Sequence, residues 1–245
     1  MKVEVIGCKG VVGSSTLELM KRLGHEVTGS DKGDEVGLAY IYLICTTEDA
    51  VPEVVGSLEG RECLIVVRST TPPGTIDRLM KTYNRHICHW PEHLREATAF
   101  WDTYFPPFIS IGECCKEHGD ILASALEPMG MHIMRSDVIT SEATKYAINC
   151  FKAVVVTFWN EFYELSRRIG FNPHTAARIA AHDYVVPTYG TILGKAYGGK
   201  CLPKDMRSLI KTCKEVGYTP KLIEATEEIN NRMREEFGES VVRTG

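Results

Sequence analysis

Residues 2–13 read KVEVIGCKGVVG. An apolar run ends at Ile6, and glycines follow at positions 7, 10 and 13, where an apolar helical pattern begins. Glycines allow a tight turn and close approach of a ligand to the backbone. A helix N-terminus offers free N–H groups and partial positive charge to a pyrophosphate. The stretch therefore predicts the first strand, turn and helix of a dinucleotide-binding sheet.

A carboxylate follows the second predicted strand, residues 26–29. Asp31 stands about 20 residues after the glycines, where the fingerprint places a carboxylate that binds the adenosine ribose. This favours NAD as cofactor, although Lys32 beside it keeps NADP as an alternative. Cys8 occupies the first-glycine position of the usual G-x-G-x-x-G pattern, so a glycine turn without a ligand is the structural alternative. The predicted cofactor-binding residues here are Gly7, Gly10, Val11, Val12, Gly13, Asp31 and Lys32.

Up to about Arg135, short β-branched runs alternate with amphipathic stretches, as is typical of the strands and covering helices of a doubly wound parallel sheet. We expect a Rossmann-type α/β domain over residues 1–137. Its predicted strands are residues 2–6, 26–29, 39–45, 63–67, 86–89, 108–111 and 132–134, and its predicted helices are residues 11–23, 50–57, 75–83 and 115–126.

The pattern changes at Thr140, from which a helical periodicity runs without Gly or Pro to Gly170. This predicts one helix of about 28 residues, or about 42 Å. Residues 151–162 are apolar on more than one face, so we expect burial against other helices and a homodimer formed through this helix. Residues 138–245 are predicted as an all-helical dimerisation domain, with further helices over 173–182, 205–216 and 220–237 and a glycine-rich loop over 194–203.

Composition excludes several classes of function. A formal net charge of −4 offers no basic surface to nucleic acid. No stretch approaches the roughly 18 apolar residues of a membrane span, and the acidic Glu4 interrupts the first apolar run. We therefore expect a cytoplasmic protein with neither nucleic-acid nor membrane partners.

The nine cysteines are odd in number and fall mostly inside predicted strands and helices, which predicts buried, reduced thiols. The adjacent pair Cys114 and Cys115 lacks the two-residue spacing of a metal knuckle, and no cluster with zinc spacing is evident elsewhere. The sequence therefore predicts no metal site.

Four ordered segments resemble the nucleotide-sugar dehydrogenases of the UDP-glucose and GDP-mannose type. The chain is identified on them as a short member of that family, without its C-terminal nucleotide-binding domain. The segments are STTPPGT (residues 69–75), PEHLREA (residues 91–97), the helical run from Glu142 through Lys145 and Asn149 to Glu161, and GGKCLPKD (residues 198–205).

Glu142, Lys145 and Asn149 lie three and four residues apart, so one helix face should present a carboxylate, an ammonium and an amide. Such a face can hold a developing oxyanion, to which the ammonium and the amide donate hydrogen bonds. A solvated Glu–Lys pair is the structural alternative.

Cys201 follows two glycines, and the charges of Lys200 and Lys204 favour its thiolate. A thiolate near a nicotinamide can add to an aldehyde, and the thiohemiacetal is then oxidised to a thioester and hydrolysed. The structural alternative is an inert thiol like the other eight. The predicted reaction is the NAD-dependent oxidation of a primary alcohol to a carboxylate in two hydride transfers.

The resemblance implies roles for further residues: Glu92 as general base, Thr70 and Asp205 positioning a water, and Glu96 near the nicotinamide or the substrate. A turn cap is the structural alternative for Glu92, and Asp205 is also predicted as the N-cap of the next helix. The resemblance further implies cofactor contacts from Thr46, Ser69, Thr70, Glu96 and Lys204, and substrate contacts from Glu92, Leu94, Glu96, Lys145, Asn149, Tyr197 and Gly198.

The chain departs from the family pattern at His93 and Ala97, in its short segment 32–37, and in residues 182–187, which lack the expected arginine. The substrate is therefore expected to be a nucleotide sugar or a smaller related alcohol. A two-electron dehydrogenase of the β-hydroxyacid type and a non-catalytic nucleotide-binding protein are the alternatives.

Overall fold

A computed structural model of the chain describes residues 1–95, 98–183, 186–187, 189–190 and 193–240. The chain forms two compact units, Met1–Lys145 and Tyr146–Gly245. The chain passes from one unit to the other within a long helix. The boundary at residues 137 and 138 stays a prediction.

The first unit is built on a seven-stranded sheet with the order β2-β1-β3-β4-β5-β6-β7. All neighbouring strands are parallel except β5 and β6, which pair antiparallel through His89 and Gly112. The mostly parallel sheet confirms the predicted α/β class. The strands are β1 (Lys2–Ile6), β2 (Glu26–Ser30), β3 (Ile41–Ile44), β4 (Leu64–Val67), β5 (Ile87–His89), β6 (Ile109–Glu113) and β7 (Ile133–Asp137).

Helices cover both faces of this sheet. Val5, Leu43 and Val66 belong to one core cluster, which also holds residues of α1 and α5, whereas Tyr42 and Ile65 belong to a second cluster with residues of α2 and α3. Because the central strands are buried on both sides, they are continuous apolar runs rather than alternating ones. The helices that begin in this unit are α1 (Val11–Arg22), α2 (Val51–Ser57), α3 (Thr75–Tyr83), α4 (Ala99–Tyr104), α5 (Lys116–Leu126) and α6 (Val138–Ile169).

The second unit is mainly helical. It contains most of α6 together with α7 (Pro173–Ala180), α8 (Cys201–Glu215) and α9 (Lys221–Phe237). Two short strands, β8 (Ala196–Tyr197) and β9 (Glu239–Ser240), pair in parallel and depart from the predicted all-helical domain. No helix in the described ranges is both long and apolar enough to cross a membrane.

The long helix is confirmed and begins at Val138, two residues before the predicted start at Thr140. Inside the second unit, Cys150, Ala153 and Val156 form one core cluster with Tyr197 and Met206. A second cluster joins Trp159 of α6 to Ala177 and Leu193. The inward face of α6 therefore organises the core of this unit.

Candidate active site

The glycine-rich turn after β1 has a conformation that only glycine adopts easily. Gly7 lies in the left-handed region at φ 86°, and a Cβ there would stand 2.6 Å from the carbonyl oxygen of Cys45. A Cβ on Gly13 would overlap the carbonyl oxygen of Gly7. Gly10 is the N-cap residue of α1, and no side chain caps the helix. The first N–H groups of α1, at residues 11–13, have no intrahelical acceptor and fit a pyrophosphate.

Cys8 does not replace a glycine that the turn needs. The left-handed residue is Gly7, one position before the usual fingerprint glycine. The Cys8 side chain packs instead against β2, where a Cβ on Gly29 would meet the Cys8 Cβ at 2.8 Å. The turn is therefore formed one residue early, and Cys8 belongs to the core.

Asp31 lies beside this turn because β2 is the parallel neighbour of β1. Its carboxylate accepts hydrogen bonds from the backbone N–H groups of Lys9, at 3.0 Å, and Lys32, at 2.9 Å. These bonds lower the pKa of the Asp31 carboxyl, the one from Lys9 contributing most. The carboxylate is thus held ionised at the position where the fingerprint expects it, and the Lys32 side chain is exposed.

The carboxyl ends of β3 and β4 bring two further predicted cofactor residues together. The Ser69 hydroxyl donates a hydrogen bond to the carbonyl oxygen of Thr46 at 2.7 Å. The Thr46 methyl group lies 3.2 Å from the position that a Cβ on Gly7 would occupy. Gly7, Thr46 and Ser69 therefore lie along the carboxyl edge of the sheet, where ligands bind in open α/β sheets.

A buried ion pair follows the end of β5. Lys145 Nζ lies 2.9 Å from Glu92 Oε1, and the two side chains are 4% and 10% exposed. The same ammonium donates to the carbonyl oxygen of Glu92 at 2.6 Å, and the Thr70 hydroxyl donates to Glu92 Oε1 at 3.4 Å. The Leu94 N–H donates to Glu92 Oε2 at 3.1 Å, so Glu92 also caps its own turn. Four predicted site residues, Thr70, Glu92, Leu94 and Lys145, thus form one cluster.

Glu142, on the same helix as Lys145, does not share this cluster. Its carboxylate accepts hydrogen bonds from the Thr71 hydroxyl at 2.8 Å and from the N–H groups of Gly74 at 2.7 Å and Ile76 at 3.1 Å. Burial raises the pKa of Glu142 to about 7, although the three hydrogen bonds act to lower it. Glu142 therefore anchors the start of α3. Helical spacing had correctly indicated a polar face but could not identify the partner of each residue on it.

Two buried basic side chains next to this cluster, Arg68 and His89, were not predicted from the sequence. Arg68 directly follows β4 and stacks over Trp90 at 3.6 Å, and its Nε and Nη1 atoms have no hydrogen-bond partner within the described ranges. Its pKa is lowered by burial. His89 Nδ1 lies 3.0 Å from the Ser141 hydroxyl, and burial lowers the pKa of this imidazole to about 3, which keeps it neutral. In the sequence, an arginine directly after an apolar strand shows only its charge, and nothing there indicates that its side chain is buried.

In the second unit, Asn149 and Asp205 form a buried pair. Asn149 Nδ2 donates to Asp205 Oδ2 at 2.6 Å, and Lys204 Nζ lies 2.7 Å from Asp205 Oδ1. Cys201 is exposed and is the first residue of α8, where the helix N-terminus favours a thiolate. The predicted loop residues around Cys201 therefore begin a helix.

The prediction that Asp205 is a helix N-cap is wrong. Lys200 occupies that position, and the chain is helical from Cys201 onward. Pro203 is the third residue of α8, where its missing N–H removes no intrahelical hydrogen bond, so the proline does not delay the helix. Asp205 consequently lies inside the helix, and its carboxylate is available to Asn149.

The last two predicted substrate residues lie at β8. The Tyr197 side chain is fully buried, and its hydroxyl donates to Glu227 at 2.7 Å. Burial, with a further contribution from Glu227, raises the pKa of Tyr197. Gly198 is also buried, and a Cβ there would meet the Glu239 carboxylate at 2.5 Å. The Tyr197 side chain thus stabilises this unit, while Glu96 lies outside the described residues.

Comparison with known proteins identifies the relationship. Residues 139–232 match the central domain of the UDP-glucose/GDP-mannose dehydrogenase family. UDP-glucose 6-dehydrogenase from Rickettsia bellii is 30% identical over 206 residues, which span 81% of this chain and 46% of that protein. GDP-mannose 6-dehydrogenase from Pseudomonas syringae pv. tomato is 33% identical over 195 residues, spanning 74% of this chain and 44% of that protein. The chain therefore spans less than half the length of these relatives.

Solved structures confirm the fold. A UDP-glucose dehydrogenase from Pyrobaculum islandicum superposes with a TM-score of 0.86 at 21% identity, covering 96% of this chain and 69% of that one. The 3-hydroxyisobutyrate dehydrogenase from Mycobacterium tuberculosis superposes with a TM-score of 0.78 at 14% identity, covering 99% of this chain and 97% of that one. Residues 139–232 are therefore a central domain of the UDP-glucose/GDP-mannose dehydrogenase type, and the chain as a whole is similar to members of that family.

Proposed function

We propose that the chain is an NAD-dependent dehydrogenase that oxidises the primary alcohol of a nucleotide sugar, or of a smaller related substrate, to a carboxylate. The observation that carries the proposal is the buried Glu92–Lys145 pair, with the Thr70 hydroxyl beside it. A buried charge pair that is also bonded to backbone groups has a fixed geometry, which proton transfer and oxyanion stabilisation both require.

The first unit fits a dinucleotide. At Gly7 and Gly13 a Cβ would clash with neighbouring backbone atoms, so the glycines allow the tight turn that a pyrophosphate needs, and the ionised Asp31 lies next to this turn. Asp31 would repel a 2′-phosphate, so NAD is the proposed cofactor. When bound, NAD supplies the hydride acceptor for each oxidation. Thr46 and Ser69, at the neighbouring strand ends, are the proposed further cofactor contacts.

The proposed roles of the side chains follow from their charges. In the first oxidation the alcohol loses a hydride from carbon and a proton from oxygen, and the Glu92 carboxylate is the proposed acceptor of that proton. In the second, the Cys201 thiolate forms a bond to the aldehyde carbon. Lys145 and Asn149, one turn apart on α6, donate hydrogen bonds to the resulting oxyanion.

Loss of a second hydride converts the thiohemiacetal into a thioester. Water then attacks the carbonyl carbon, the C–S bond breaks, and the sulfur leaves as the Cys201 thiolate. Glu92 and Asp205 are the proposed groups that orient this water and accept its proton. The products are one carboxylate and two reduced cofactors per alcohol, and water supplies the added oxygen.

The stoichiometry of the reaction tests this proposal. The chain is incubated with NAD and, in turn, UDP-glucose, GDP-mannose and small primary alcohols, while NADH and the organic product are quantified. Two NADH and one carboxylate per substrate consumed are expected for at least one compound. One NADH with a ketone or aldehyde as the final product would contradict it.

A two-electron dehydrogenase acting on a β-hydroxyacid is the second candidate. It is favoured by one observation, the superposition of 99% of this chain on 97% of the 3-hydroxyisobutyrate dehydrogenase chain. Such a reaction needs a lysine and an asparagine on α6 but no thiolate. It predicts one NADH per substrate and full activity without Cys201.

We also propose that the active protein is a homodimer formed through α6. Phe151, Phe158 and Leu165 are exposed and follow one another at intervals of seven residues, which places them on one side of the helix. Phe151 and Phe158 are 62% and 56% exposed. A second copy of the same helix face would bury this stripe in an isologous interface.

A further inference from the structure

Four potential metal ligands converge in the first unit, at the amino-terminal end of β5. His86, Cys114, Cys115 and His118 each offer one nitrogen or sulfur atom, and these atoms all lie within 4.8 Å of one another. We propose that the four side chains bind one Zn²⁺ ion in a closed Cys₂His₂ site.

The antiparallel step in the sheet creates this cluster. β5 and β6 pair through His89 and Gly112, and continuing that register by three residues places His86 opposite Cys115. A parallel β6 would have placed Cys114 and Cys115 at the other end of β5. The cluster thus depends on the antiparallel direction of β6, which the sequence pattern does not predict.

The start of α5 adds the fourth ligand. Cys115 is the N-cap residue of α5, and His118 lies in its first turn. Cys115 Sγ lies 3.0 Å from His118 Nδ1. The two-residue spacing of Cys115 and His118 is typical of a metal knuckle.

The geometry is close to that of a tetrahedral zinc site. With Zn–S near 2.3 Å and Zn–N near 2.0 Å, ligand atoms of a tetrahedron lie about 3.3 to 3.8 Å apart. The His86 and His118 rings are 4.7 Å apart between centroids and tilted by 31°. Shifts of about 1 Å would close the cluster around an ion, and side-chain rotation can provide these.

The composition of the cluster points to a structural site rather than a catalytic one. Four protein ligands fill a tetrahedral ion and leave no position for water or substrate. The strand β5 separates the cluster from Glu92, because His86 precedes the strand and Glu92 follows it. His86 is exposed and the other three ligands are half-buried, so an ion can reach them.

Disulfide formation between Cys88 and Cys114 would compete with zinc binding. Its sulfur lies 3.7 Å from Cys114 Sγ, and oxidation would join the two in a disulfide and remove Cys114 from the ligand set. Cys114 cannot serve both partners, since zinc needs it as a thiolate. Zinc content and the redox state of Cys88 therefore distinguish the two arrangements.

The test measures zinc bound to the full chain, purified under reducing conditions from zinc-supplemented medium. About one zinc per chain is expected by elemental mass spectrometry. Cobalt substitution should give the absorption of tetrahedral thiolate-bound Co²⁺. A strong chelator should lower the melting temperature of the parent. Absence of zinc, or a Cys88–Cys114 disulfide found by peptide mass spectrometry in its place, would overturn the proposal.

Single variants identify the ligands. Cys115→Ser and His118→Ala should each weaken zinc binding by at least about tenfold, a loss known even for changes outside the ligand shell. His86→Ala should also weaken zinc binding. Because His86 is exposed, this variant should fold even if Cys115→Ser does not. Cys213→Ser, in the second unit, is the matched control and should retain zinc. Equal zinc content in His86→Ala, His118→Ala and the control would overturn the assignment.

Discussion

Removal of the Lys145 ammonium tests the buried cluster around Glu92. In Lys145→Met the side chain keeps a similar volume but loses both the 2.9 Å ion pair and the 2.6 Å hydrogen bond to the Glu92 carbonyl oxygen. The Glu92 carboxylate then stays buried, and among the described residues the Thr70 hydroxyl and the Leu94 N–H remain as its hydrogen-bond donors.

The expected loss of stability is about 3 kcal/mol. Breaking a buried ion pair by removing one partner costs about 3 to 5 kcal/mol, because the remaining charge is left uncompensated. We expect the lower end, since two hydrogen bonds to the carboxylate remain. Glu92→Gln should cost less, because Lys145 keeps its bond to the carbonyl oxygen of residue 92. In the double variant the two losses should overlap, with a coupling energy of about 1 to 3 kcal/mol.

Urea unfolding of the parent, both single variants and the double variant gives this coupling energy. The same proteins are assayed for NAD reduction, where Lys145→Met should lose a factor of about 10² to 10³ as an oxyanion donor is removed. Additive stability losses would show that Lys145 and Glu92 are not coupled, and near-parental activity in Lys145→Met would exclude Lys145 as an oxyanion donor. Arg168→Met, at an exposed position of the same helix, should change neither quantity.

Three further predictions use other sites. Burial raises the pKa of Glu142 to about 7, so the contribution of this side chain to stability is fully present below pH 4.5 and is lost as the pH rises through 7. The free energy of unfolding should change by about 3 kcal/mol over this range. Urea unfolding at several pH values should show this change in the parent but not in Glu142→Gln. Asp31→Asn should reduce the preference for NAD over NADP, which we expect to be at least about tenfold in the parent, and equal affinities of the parent in a fluorescence titration would contradict this. Phe158→Asp should convert the dimer to a monomer in sedimentation analysis, whereas Tyr218→Asp, which changes another exposed aromatic residue, should leave the dimer intact. A monomeric parent would disprove the interface.

Much of the fold could be predicted because burial leaves a direct pattern in the sequence. Strands β3 and β4 are buried on both faces and are therefore continuous apolar runs, and the absence of Gly and Pro marks α6. Strand direction leaves no such pattern, so the antiparallel pairing of β5 and β6 was not predicted. The proline at position 203 was interpreted as part of a loop, although a first helical turn accepts it.

The candidate site was predictable where residues share one short segment. Asp31 lies beside the glycine-rich turn as expected, since the βαβ unit fixes that distance. Long-range partners were not predictable: Glu142 binds the start of α3, Lys145 binds Glu92, and Arg68 stacks on Trp90. The partners of Glu142 and Lys145 lie 68 and 53 residues away in the sequence, and Arg68 and Trp90 follow two different strands, so helical spacing carries no information about any of these contacts.

The same limit explains the four residues of the proposed zinc site. Cys114 and Cys115 are adjacent, and this spacing alone argued against a metal site. Cys115 and His118, however, have the two-residue spacing of a metal knuckle. His86 joins them only through strand pairing. The expectation of no metal site therefore rested on sequence distance rather than on spatial distance.

Cys201→Ala removes the thiolate that is proposed to form the covalent intermediate. NADH and carboxylate are quantified per substrate consumed, with Cys213→Ala on the same helix as control. The parent and the control should form two NADH and one carboxylate. Cys201→Ala should lose carboxylate formation by about a thousandfold or more and still bind NAD through the first unit. Carboxylate formation by Cys201→Ala at a near-parental rate, or a parent that stops at one NADH per substrate, would rule out the proposed role of Cys201.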